Sequence, residues 1–106
     1  MHTHTFQKTK FIVGETAADN WAIIKASSKD YYWVHLDKYP SAHVIIEIDV
    51  EPTQEELTFA TQLIRNVTPK APLKATAIWT QVSNLRLGSK PGEVHFKNNA
   101  MVHNIT

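Results

Sequence analysis

The chain contains no cysteine. Disulfides and thiolate metal sites are therefore excluded, and a reducing compartment suits it. It has three glycines and no glycine-rich run, so no phosphate-cradling loop is expected. No stretch approaches the roughly 18 apolar residues of a membrane span. Residues 1–10 are polar and lack the apolar centre of a signal peptide, so the expected location is the cytoplasm. Two glycosylation sequons, Asn66-Val67-Thr68 and Asn104-Ile105-Thr106, are read as coincidence without that signal. Acidic residues are missing from residues 57–92, where Arg65, Lys70, Lys74, Arg86 and Lys90 all fall. Glu47, Asp49, Glu51, Glu55 and Glu56 crowd the stretch just before it. That asymmetry fits one basic face on a domain whose net charge is only +1. The 106 residues leave room for one domain, expected over residues 11–106 with a flexible segment at residues 1–10.

What is present alternates. Residues 11–13 form a short strand pattern, and Gly14 is expected to take unusual backbone angles in the turn that follows. Thr16 to Asp19 has the capping-box arrangement and predicts one helical turn, after which residues 20–26 are expected to be a second strand. The strongest local signal is a hairpin: residues 31–36 and 42–50 are aromatic and β-branched, joined by Asp37-Lys38-Tyr39-Pro40-Ser41. Alternation puts Tyr32, Val34, Leu36, Val44, Ile46 and Ile48 on a core face and Trp33, His35, His43, Ile45 and Glu47 on the other. A symmetric loop sets Trp33 against Ile45 and His35 against His43. Thr53 and Glu56 complete a second capping box, and Leu57, Ala60, Ile64 and Val67 carry a helix to about Thr68, before Pro69. Strands are predicted at residues 76–82, 93–97 and 101–105, with turns at residues 89–92 and at Asn98-Asn99. The fold class that follows is α+β: a mostly antiparallel sheet, one main helix and a short helical turn near the N-terminus.

Six histidines raise the question of metal or catalysis. His35, His43 and Glu47 share a strand face, but Glu47 lies about two pleats beyond His43, too far for a single ion. No His-Glu-x-x-His pattern occurs, so neither metal nor cofactor is expected. Ser41 beside two histidines lacks a nucleophile elbow and an orienting acid. Glu55 and Glu56 read as charges favoured at a helix N-terminus. Nucleic-acid binding is easier to support: Tyr31, Trp33, Tyr39 and Trp79 are planar groups on which bases can stack. Lysines and arginines can contact phosphate, and histidine or serine can donate to phosphate or 2′-hydroxyl oxygens.

The stretch Trp33-Val34-His35-Leu36-Asp37-Lys38-Tyr39-Pro40-Ser41-Ala42-His43-Val44 resembles the aromatic-x-His and Ser-x-His-Val segment of the NFACT-R domain. Other pieces follow in order: Val13-Gly14 with Asp19-Asn20, Asp30, the helix at residues 57–64, Thr80-Gln81-Val82-Ser83-Asn84-Leu85, and Gly92-Glu93-Val94. Asp30 stands further from the tryptophan than the family's usual spacing. The resemblance covers residues 11–105 and implies RNA binding, with tRNA and the large ribosomal subunit as partners and a link to ribosome-associated quality control. No segment resembles the family's N-terminal domain or coiled coil, so a role in extending nascent chains is not expected. On this reading Trp33 stacks on a base, and His35, Ser41 and His43 bond phosphate or ribose. Asn84 reads a base or sugar edge, and Arg86 and Lys90 neutralise phosphates. Two alternatives stay open: a small histidine-dependent hydrolase or RNA-processing enzyme, and a protein-interaction module that docks on a ribosomal or other partner.

Overall fold

The computed structural model describes residues 1–105; Thr106, which ends the second sequon and the expected domain, lies outside them. Strands β1 (His2–Phe6), β2 (Thr9–Gly14), β3 (Tyr32–Leu36), β4 (His43–Ile46), β5 (Ala77–Gln81) and β8 (His103–Asn104) form one antiparallel sheet in the order β1-β2-β4-β3-β5-β8. Helices α1 (Ala17–Ala26) and α2 (Gln54–Val67) complete the main framework. Strands β6 (Leu85–Leu87) and β7 (Val94–Phe96) make a separate hairpin. The α+β class stands.

Both faces of the sheet are covered. On one, Phe11, Val13, Val34, Leu36, Val44 and Ile46 pack under α2. On the other, Trp33, Ile45 and Ile78 pack with Ile23 and Ile24 of α1 and with Val82 and Leu85. The hairpin register is as the sequence suggests, with Trp33 opposite Ile45 and Val34 opposite Val44. Its second face, however, is a second core. The difference lies in residues 20–26, which form helix and not strand. Within α1 the buried positions are Asn20, Ile23 and Ile24, a helical i, i+3, i+4 spacing whose first member is polar and so hides the stripe. Thr16 caps α1, accepting from Asp19 N at 3.1 Å, but the helix continues through Ala26 instead of stopping after one turn.

Residues 1–10 are not a loose tail. β1 pairs with β2 from His2↔Val13 to Phe6↔Thr9. Gln7 and Lys8 turn the chain with φ of 50° and 68°, the left-handed pair of a type I′ hairpin turn. The strand is tied to α2: Phe6 stacks on Phe59 at 4.6 Å, and Thr9 Oγ1 donates to Glu56 Oε2 at 2.7 Å. The α2 capping box is formed as its sequence implies, Thr53 and Glu56 bonding reciprocally. β4 ends at Ile46, earlier than expected: Glu47 N still bonds Lys10 O of β2, but Ile48 N then folds back on Ile46 O. Among the described residues no helix is long and apolar enough to cross a membrane.

Candidate functional site

At one end of the sheet a cleft of about 460 Å³ opens. Asn20, His35, Ser41, His43, Thr68 and Gly92 are among the residues that line it. Five stretches of chain, from residue 15 to residue 92, thus meet in one place.

Each contributor is positioned by a local necessity. His43 opens β4 opposite Gly14, and its backbone N–H donates to Asn20 Oδ1 at 3.2 Å. Asn20 reaches that N–H by passing over Gly14, where a Cβ would stand 2.6 Å from Asn20 Oδ1. Close approach, and not an unusual backbone angle, is therefore what Gly14 supplies. Gly92 alone among the glycines has a positive φ, 87°, and it turns the β6–β7 connection against Ala17 at the start of α1. Ser41 closes the hairpin loop: its Oγ accepts from Leu36 N at 3.3 Å and donates to Ala42 O at 3.0 Å. Ala42 N then donates to Thr68 Oγ1 at 3.3 Å, fixing the loop to the end of α2.

Trp33 organises the histidines from below. It is fully buried, lies parallel to His35 with ring centroids 5.4 Å apart, and donates from Nε1 to His43 Nδ1 at 3.0 Å. That bond leaves the Nδ1 lone pair as acceptor and places the neutral ring's proton on Nε2. The two imidazoles meet edge to face at 4.5 Å. Burial pulls the His43 pKa down to about 3, and the neighbouring His35 adds to the effect. Burial likewise lowers His35 to about 4, although a hydrogen bond to the Ser41 backbone and the charge of Asp37 oppose it. Both rings are neutral at neutral pH.

The expected site residues therefore separate. His35, Ser41 and His43 come together in the cleft. Lys90 is exposed in the β6–β7 turn, next to Pro91 and Gly92 at the rim. Arg86 is exposed on β6, opposite His95 of β7, and does not line the cleft. Trp33 cannot stack on a base: it is enclosed by the second core. Asn84 is also buried and cannot read a base edge. Its Nδ2 donates to Thr80 Oγ1 and Asn98 O, both at 3.0 Å, and its Oδ1 accepts from Asn98 N at 2.9 Å. Among the more open aromatics, Trp79 sits half-buried against Tyr32 and His103 on the opposite face.

Sequence reasoning does not single out Asn20, Thr68 or Gly92 as site residues. For two of them a signal exists, since Asn20 belongs to the Asp-Asn pair and Gly92 to the Gly-x-Val piece. Thr68 carries only a helix-end signal. Among the described residues no group of three or more His, Cys, Asp or Glu is placed to hold a metal ion.

No family profile matches the chain, and no curated protein matches it by sequence. Solved structures do. One is the C-terminal part of the fibronectin/fibrinogen-binding protein from Streptococcus suis, with a TM-score of 0.75 and 24% identity over 93% of this chain. The match spans 41% of that chain. The likeness is one of fold.

Proposed function

We propose that the chain is a non-catalytic RNA-binding domain of the NFACT-R type, working in the cytoplasm on tRNA or ribosomal RNA, and that the cleft is its binding site. One observation carries this reading. The pieces of the resemblance are scattered along the sequence, yet Asn20, His35, Ser41, His43 and Gly92 all line the same cleft. Other pieces, Val13, Trp33, Asn84 and Leu85 among them, are buried framework, and the five at the opening are the ones a ligand can meet. Exposed Lys90 at the rim and Arg86 on the adjoining hairpin supply phosphate contacts nearby. A hydrolytic role has less support, because Ser41 Oγ is spent on backbone groups of its own loop, leaving no nucleophile paired with a base.

The test is fluorescence anisotropy of labelled tRNA and single-stranded RNA across a salt series, for the parent chain and for Arg86→Glu with Lys90→Glu. Affinity should fall with salt, and the double charge reversal should weaken it by about tenfold or more. Absence of binding to either RNA at low salt would end the RNA reading. The second reading is docking on a protein, favoured by the name of the structural neighbour, a fibronectin/fibrinogen-binding protein. Immobilised fibronectin and fibrinogen in the same assay series separate the two.

A further inference from the structure

Two side chains that line the cleft are more than nine-tenths buried, Asn20 and His43, with relative exposures of 5% and 2%. Each has one polar atom spoken for. Asn20 Oδ1 accepts from His43 N, and His43 Nδ1 accepts from Trp33 Nε1. The oxygen of the Asn20 amide is thereby identified, which leaves Nδ2 as a donor, and the His43 ring is left with Nε2–H. Neither atom has a hydrogen-bond partner among the described residues, yet neither is sealed from solvent. Both donors therefore open onto the cleft, where water or a ligand can accept from them. The cleft they line holds about 460 Å³, within the roughly 300–1,000 Å³ of small-ligand sites.

The charge of the lining narrows the ligand. No lysine or arginine is among the lining residues, and the one charged side chain there is the carboxylate of Glu15. An anion in the cleft would meet neutral donors and a like charge. The lysines stand outside: Lys38 lies two residues before Pro40, Lys70 two residues after Thr68, and Lys90 directly before Pro91, all exposed.

We infer that the cleft receives one unstacked nucleoside unit of an RNA strand, whose base or ribose acceptors take the Asn20 Nδ2 and His43 Nε2 protons while Lys38, Lys70 and Lys90 hold the flanking phosphates. This deepens the RNA reading and rests on it for the identity of the strand. Recognition of splayed-out bases on their polar edges is the usual means by which proteins read single-stranded RNA. The division of labour is the general one, with phosphate contacts positioning and base or sugar contacts selecting.

Two experiments on the intact chain test it. In the first, amide and side-chain NMR signals are followed while adenosine, guanosine, cytidine, uridine or inorganic phosphate is added. At least one nucleoside should shift the Asn20 side-chain amide and the His43 ring saturably, and inorganic phosphate should not. In the second, single-stranded RNA is compared with an abasic ribose-phosphate oligomer of equal length, which should bind about tenfold more weakly for the loss of a single held base. Asn20→Asp, which keeps the acceptor for His43 N and removes the donor, should abolish the nucleoside shifts. If that variant is unfolded, the abasic comparison on the parent chain still decides. Phosphate shifts without nucleoside shifts, or equal affinity for the abasic oligomer, would overturn the nucleoside site while leaving RNA binding intact. Saturable nucleoside shifts with no affinity for any RNA would support the site and sink the RNA reading alone.

Discussion

Acid should destabilise this fold well before its carboxylates are protonated. In the folded chain His35 and His43 have pKa values of about 4 and about 3, against 6.5 when free. Between those limits the unfolded chain binds protons that the folded chain refuses, so stability must fall as pH drops below 6.5. Each group contributes a little over 1 kcal/mol per pH unit through that window, so the pair gives a slope of roughly 3 kcal/mol per unit at most. Going from about pH 7 to about pH 5 therefore costs about 4 kcal/mol, a large part of the roughly 5–15 kcal/mol that holds a small domain together. The loss is complete only once the pH has passed through the folded values.

The assay is urea unfolding at half-unit steps of pH, read by tryptophan fluorescence, for the parent and for His35→Asn with His43→Gln. Neither replacement titrates. The parent should show the slope, and the double variant should lose most of it. Stability that changes by less than about 1 kcal/mol over this range would refute the claim that the two rings are held neutral. So would an equal slope in the double variant.

Trp33→Phe should cost about 2–4 kcal/mol in urea unfolding, since it leaves His43 Nδ1 without its donor and opens a void in the second core. In the same variant, nitrogen shifts of the His43 ring should report loss of the single tautomer. Lys8→Gly should stabilise the chain by about 0.5–1 kcal/mol, because φ of 68° at Lys8 is strained for any residue with a Cβ; no gain would argue against the I′ turn. Gly92→Ala should destabilise by about 1–3 kcal/mol, since a Cβ there meets Ala17 at 3.1 Å in a left-handed backbone. Its larger effect should fall on RNA affinity, as the β6–β7 turn is pushed off the cleft.

The sequence makes the middle of this fold legible and its first third much less so. The hairpin register, the Thr53–Glu56 capping box and the stop near Thr68 all depend on neighbours in the chain, and short-range chemistry announces them. The type I′ turn of β1 and β2 is closed by Gln7 and Lys8, where Asn-Gly would be the recognisable pair, so tertiary support from Phe59 and Glu56 replaces the local signal. Helix α1 is hidden in the pattern because Asn20 occupies a core position on its stripe. A polar residue there reads as surface until the buried His43 N–H it serves is known. β6 is only three residues long and has no pattern of its own.

That one hidden helix also governs the reading of the site. With α1 taken as a strand, the face bearing Trp33, His35 and His43 is an open platform, and Trp33 becomes a stacking surface. With α1 in place, the same face is a core, and only its end remains open. The tryptophan then acts one step back from any ligand, as the donor that fixes which nitrogen of His43 carries the proton. An arginine would suit a site whose task is to neutralise phosphate, since it stays charged at any physiological pH. A buried neutral imidazole with an assigned tautomer offers instead a directional donor without charge. Acid sensitivity is the thermodynamic counterpart of that choice: the burial that holds the rings neutral also makes the fold yield when protons become available. The pH slope and the proposed preference for a nucleoside over phosphate would thus both follow from one arrangement, the burial that keeps the rings uncharged.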